Sequence, residues 1–63
     1  MRIEQLLKLF DRDVDGVIIV YENGYEEDFN MWNLDNEEYV KGIKFETFDI
    51  YEQDGYTVLK VWL

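Results

Sequence analysis

The chain has 63 residues, 48% apolar and 17% aromatic, and its 15 acidic and 6 basic side chains give a net charge of −9. That apolar content excludes a disordered chain, and the charge disfavours direct contact with nucleic acid or anionic lipid, since both repel an anionic surface. The sequence holds no Cys, His or Ser, so disulfides, thiolate metal sites, imidazole bases and acyl-transfer nucleophiles are excluded too.

The length allows one domain, residues 1–63, near the lower limit for a self-sufficient core. The N-terminus mixes charges with apolar residues, unlike a signal peptide, and no apolar run approaches the roughly 20 residues that cross a membrane. A cytoplasmic location without membrane contact is the expectation.

Ile3, Leu6, Leu7 and Phe10 recur at helical spacing while Glu4, Gln5, Lys8 and Asp11 point elsewhere, which predicts an amphipathic helix over residues 2–12. Residues 11–22 follow as Asp-Arg-Asp-Val-Asp-Gly-Val-Ile-Ile-Val-Tyr-Glu. Asp11, Asp13, Asp15, Gly16 and Glu22 fill the defining positions of a calcium loop, so this stretch resembles an EF-hand. The resemblance covers about a fifth of the chain and implies calcium chelation by loop oxygens. Two features depart from it. Ile19 stands at the ninth place, and a second helix would run through Asn23-Gly24.

The same residues also read as a β-branched run, Val17-Ile18-Ile19-Val20, ahead of an Asn-Gly turn, and that strand reading is preferred. In a strand, the seven residues from Asp15 to Glu22 span about 23 Å, so Glu22 cannot close the loop. A half-site of Asp11, Asp13 and Asp15 then remains for a divalent ion, alongside the plainer reading of a solvated loop with Gly16 as its turn.

The first hairpin is expected to pair residues 17–22 with 25–32 around Asn23-Gly24. A two-residue turn sets Val20 opposite Glu27, Ile19 opposite Asp28 and Ile18 opposite Phe29. Residues 35–42 suggest one helical turn ending at Gly42, or a solvated loop. The second hairpin joins 43–52 to 56–63 around Asp54-Gly55. It sets Ile50 against Leu59, Phe48 against Val61, and Asp49 against Lys60 as an opposite-charge pair.

The predicted class is therefore α+β, an N-terminal amphipathic helix packed on a roughly four-stranded antiparallel sheet made of two hairpins. Its core should hold Leu6, Leu7, Phe10, Ile18, Val20, Phe29, Phe48, Ile50, Leu59 and Val61. Alternation puts Val17, Ile19, Tyr21, Trp32, Phe45, Tyr51, Val58 and Trp62 on the other face, which one short helix cannot also cover. Three explanations stand for that face: scattered aromatics in a shifted register, a homodimer, or a partner-binding patch.

Carboxylate pairs such as Glu26 with Asp28 lack the walled cleft that glycoside chemistry requires, so no enzyme is expected. Binding through negative charge remains. Glu22, Glu26, Glu27 and Asp28 crowd the first hairpin, and Glu37 and Glu38 follow. Alternate residues of a strand lie about 6.6 Å apart, close to every second charge on one DNA strand, spaced about 3.4 Å. In size, charge, missing cysteine and helix-plus-sheet order, the chain resembles the small acidic inhibitors of phages and mobile elements. Anti-CRISPR proteins and uracil-DNA glycosylase inhibitors are among these, and many of them mimic DNA.

That resemblance implies a non-enzymatic acidic module that occupies the basic groove of a nucleic-acid-handling protein. The expected contacts are Glu22, Glu26, Glu27, Asp28, Glu37, Glu38, Tyr51 and Trp62, with no cofactor. The alternatives are a calcium module using Asp11, Asp13 and Asp15, or a small homodimer.

Overall fold

Ile3, Leu6 and Leu7 fall on one stripe, and they become the buried face of helix α1, Ile3–Leu9. The computed structural model describes residues 1–10 and 13–63. The helix is shorter than the predicted 2–12: the Phe10 N–H donates back to the Leu7 carbonyl at 3.2 Å, and Phe10 serves as its C-cap. At the other end the Arg2 N–H donates to Gln5 Oε1 at 2.8 Å. The Ile3 N–H donates to the Ile43 carbonyl at 3.0 Å, and the Arg2 guanidinium donates to the Gly42 carbonyl. The first residues are thereby stitched to the segment that precedes the third strand.

Strand β1 (Gly16–Val20) and strand β2 (Glu26–Asn30) form the first hairpin, followed by two single-turn helices, α2 (Met31–Leu34) and α3 (Glu38–Lys41). Strands β3 (Thr47–Gln53) and β4 (Tyr56–Trp62) form the second. The α+β class is as predicted, but the sheet is mixed rather than antiparallel. Its order is β2-β1-β4-β3, with β1 and β4 parallel at the centre. Each hairpin thus supplies one central and one edge strand. The chain must cross from the β2 edge to the β3 edge, and α2 and α3 lie on that crossing.

The second hairpin keeps the predicted register, with Phe48 opposite Val61, Asp49 opposite Lys60 and Ile50 opposite Leu59. Asp54 (φ 53°) and Gly55 (φ 83°) both have positive φ, as a two-residue primed turn requires. The first hairpin is shifted by one residue from the prediction. Val17 faces Phe29, Ile18 faces Asp28, Ile19 faces Glu27 and Val20 faces Glu26.

The turn chemistry accounts for the shift. Asn23 Oδ1 accepts the Tyr25 N–H at 3.0 Å, and only Gly24 takes positive φ, at 88°. The Gly24 N–H donates to the Tyr21 carbonyl at 2.9 Å and the Tyr21 N–H to the Tyr25 carbonyl at 2.8 Å. This is a three-residue loop with a glycine bulge, not the two-residue turn that Asn-Gly suggests.

One residue of slip turns every side chain of β1 over. Val17 and Ile19 are buried, whereas Ile18 and Val20, placed in the core by the sequence reading, lie half-buried on the opposite face. The core consists of Ile3, Leu6, Leu7, Val14, Val17, Ile19, Phe29, Leu34, Val40, Leu59 and Val61. Phe10 and Ile50 pack at its margin, and Phe48, although on the core face, lies on the edge strand and stays 45% exposed. Trp32 is not on the sheet at all. Asn30 ends β2 by accepting the Asn33 N–H at 2.7 Å, and this cap starts α2, which carries Trp32 outward at 77% exposure. The turn predicted to end at Gly42 is α3, with Val40 buried.

The parallel ladder is fastened at both ends. The Leu63 N–H donates to the Val20 carbonyl at 3.0 Å, and the Asp15 N–H donates to the Thr57 carbonyl at 2.8 Å. Asp15 Oδ2 then accepts the Thr57 N–H at 2.8 Å, so one residue clasps β4 through both backbone and side chain. Removing that carboxylate strands the Thr57 N–H. Asp15→Ala is expected to lower unfolding free energy by about 1 kcal/mol, measured by urea denaturation. It should also speed hydrogen exchange at the Thr57 amide.

Candidate functional site

All three helices contribute to the one core cluster, on the face of the sheet that carries Val17, Ile19, Leu59 and Val61. Among the described residues no element packs on the other face. By strand alternation that face presents Ile18 and Val20 from β1, Val58, Lys60 and Trp62 from β4, Tyr51 from β3, and Glu26 and Asp28 from β2. Trp62, Tyr51 and Val58 are where the sequence reading put them; Val17 and Ile19 have exchanged places with Ile18 and Val20.

The expected contact residues divide between the faces. Glu26, Asp28, Tyr51 and Trp62 share the uncovered face. Glu27 alternates to the helix side, where its Oε1 accepts the Tyr21 hydroxyl at 2.8 Å. Glu37 is the N-cap residue of α3, also on the helix side, and Glu38 in its first turn sits 3.4 Å from Lys41 Nζ. Glu22 is exposed in the loop at the hairpin tip.

The carboxylates on the uncovered face are not equivalent. Lys60 Nζ lies 3.4 Å from Glu26 Oε2 and 5.4 Å from the centre of the Trp62 ring. To reach Glu26 from β4, the lysine stem crosses β1, roughly two strand spacings of about 4.8 Å each. The pair of Lys60 with Asp49 expected from their register is therefore replaced, and Asp49 Oδ1 accepts its neighbour's Ile50 N–H at 2.9 Å. Glu26 is partly neutralised. The Asp28 carboxylate has no hydrogen bond or ion pair among the described residues.

The aspartate loop is also divided. Asp11 lies outside the described residues, Asp13 is exposed, and Asp15 clasps Thr57. Strand β1 separates Asp15 from Glu22, which sits in the loop beyond its far end. Among the described residues no group of three or more carboxylates is gathered as a metal-holding cluster. No helix of the described residues is long and apolar enough to cross a membrane.

Sequence reasoning missed Lys60 as the clamp on Glu26, and it missed Gly16 as more than a turn residue. Gly16 lies in β1 between Asn30 of β2 and Val58 of β4, and a Cβ there would stand 3.1 Å from the Phe29 carbonyl oxygen. Asp-Gly reads locally as a turn dipeptide; only the neighbouring strands reveal the close approach. Tyr39 was missed as well. It stands near Glu27 and Glu37, on the side away from the uncovered face.

With this geometry established, comparison with protein-family models, with curated proteins and with solved structures gives no match.

The tyrosines report on the helix-side carboxylates. The hydrogen bond to Glu27 pushes the Tyr21 phenol up to about 12, with burial and the Glu27 charge adding to it. Desolvation, then the charges of Glu27 and Glu37, raise Tyr39 too. Because the folded value of Tyr21 exceeds its ordinary value of 10.0, its contribution to stability is present below pH 10 and is lost as pH rises towards 12. Ultraviolet titration should show Tyr21 ionising late, and Glu27→Gln should bring it back towards the ordinary value.

Proposed function

We propose that this chain is a non-enzymatic, acidic protein-binding module that inhibits a nucleic-acid-handling protein by occupying its basic groove. The observation that carries the reading is a sheet that, among the described residues, is covered by helices on one face only, and whose other face joins an apolar strip to carboxylates on β2. Glu26 and Asp28 are alternate residues of one strand, about 6.6 Å apart, a spacing close to that of every second phosphate along a nucleic-acid strand. Trp62, Tyr51, Ile18 and Val58 supply apolar area beside them, and aromatic residues of this kind anchor protein interfaces. The net charge of −9 steers the module towards basic surfaces.

The division of carboxylates ranks the contacts. Asp28 carries the most, because no hydrogen bond or ion pair among the described residues holds its carboxylate. Glu26 carries less, because Lys60 is beside it. Glu37 and Glu38 act only through the long-range field. Affinity for a basic partner, captured from a bacterial lysate and then measured by calorimetry, should fall at least about tenfold between 50 and 200 mM salt. Asp28→Lys should abolish binding, Glu26→Lys should weaken it, and Glu38→Lys should change it little. Binding insensitive to salt, or lost equally in all three variants, contradicts the proposal.

A second use of the same face is pairing with another copy of the chain, favoured by the adjacent side chains of Ile18, Val20, Val58 and Trp62. Opposing it, two chains of net charge −9 repel, and a stable dimer buries roughly 800 Å² per partner. The total accessible surface here is 4310 Å². Sedimentation equilibrium decides between them. A monomer at all concentrations and salt levels removes the dimer, and dimerisation strengthened by salt removes the acidic-module reading of this face.

A further inference from the structure

At the Gly16 end of β1 the uncovered face carries a shallow, wide-mouthed cleft of ≈ 600 Å³. Gly16, Ile18 and Val58 share its lining with Asp28, Gln53 and Tyr56. The hollow is a product of the backbone. Gly16 brings no side chain to this face, and a Cβ in its place would press on the Phe29 carbonyl oxygen at 3.1 Å. Filling the hollow would require β2 to move.

The chemistry of the lining is one-sided. Among the described residues it includes the carboxylates of Asp15, Asp28 and Asp54 and no lysine or arginine. Asp15 already accepts the Thr57 N–H, whereas the Asp28 carboxylate has no partner among the described residues. The side-chain amides of Asn33 and Gln53 add carbonyl acceptors, and Tyr56 adds an aromatic ring, 63% exposed.

A cation is the ligand this lining lacks. A strongly hydrated ammonium suits an apolar floor poorly. A guanidinium is flat, weakly hydrated, stacks on aromatic rings and presents several N–H donors to a carboxylate and neighbouring amide oxygens.

We propose that the Gly16 cleft is a socket for one arginine side chain of the protein partner, with Asp28 accepting the guanidinium N–H groups and Tyr56 covering its face. This rests on the acidic-module reading and names the group on the partner that the module grips. It also explains why β2 holds two alternate carboxylates in different states. Glu26 is tied to Lys60 at 3.4 Å, whereas Asp28, beside the hollow, has no partner among the described residues.

The test is an amide NMR titration of the labelled full chain at low salt with N-acetyl-argininamide, N-acetyl-lysinamide and hexa-arginine peptide. Argininamide should give saturable shifts at Gly16, Ile18, Asp28 and Val58, with none at Glu22–Tyr25, and lysinamide should respond several-fold more weakly. Asp28→Asn, whose folding is checked by its unchanged spectrum elsewhere, should weaken argininamide about tenfold. Glu46→Gln, at an exposed residue beside the opposite end of the sheet, should leave it unaltered. Equal responses to arginine and lysine, or an unaffected Asp28→Asn variant, overturn the socket. If hexa-arginine binds with shifts spread over all acidic residues, the socket falls and the acidic module stands. If hexa-arginine does not bind at all, both fall.

Discussion

The parallel pairing of β1 with β4 is the constraint from which the rest follows. Two hairpins placed side by side could have met through any of their strands, in either direction. Joining first strand to last puts β2 and β3 at opposite edges. The connection between them then has to cross a face of the sheet, and the residues of that connection become α2 and α3. Leu34 and Val40 join Ile3, Leu6 and Leu7 over Val17, Ile19, Leu59 and Val61. Among the described residues no element is left for the second face. The asymmetry between the two faces is a result of topology.

Asp15 shows how closely structure and the metal motif compete for the same atoms. Its carboxylate completes the β1–β4 ladder by accepting the Thr57 N–H. A carboxylate held by a backbone donor at the mouth of a strand serves the sheet, and the strand carries Glu22 away to the hairpin tip. Asp13 and Asp15, which resemble part of a calcium loop in one dimension, are parted from Glu22 by the strand that follows them. Charge is distributed by the same logic, because strand alternation sends Glu26 and Asp28 to one face and Glu27 to the other. A run of three acidic residues in sequence becomes two distinct electrostatic environments. One faces an open apolar surface; the other is tied to Tyr21 at 2.8 Å.

Side-chain length then separates Glu26 from Asp28. Lysine at position 60 reaches over β1 to Glu26, its stem shielding part of the apolar strip and its ammonium lying near Trp62. The strip is therefore less bare than alternation alone implies, and the hollow at Gly16 remains its open end.

Local features were legible in the sequence because their physics is local. The amphipathic spacing of Ile3, Leu6 and Leu7 gives the helix. Asp54-Gly55, with both residues free to take positive φ, gives the second hairpin and its register. The acidic character of β2 was equally readable, and a helical turn ending at Gly42 was one of the two readings open for residues 35–42. The first register was not, because Val17-Ile18-Ile19-Val20 reads the same in both directions and either face would bury one valine and one isoleucine. Only Asn23 bonding to Tyr25, together with the neighbouring Leu59 and Val61, breaks that tie. The parallel centre, the clasp at Asp15 and the hollow at Gly16 depend on β4, some 40 residues away in the chain. No pattern in adjacent residues encodes which strand will arrive there. Periodicity and turn chemistry settled α1 and the two hairpins, α2 escaped them, and long-range packing settled which side each element shows.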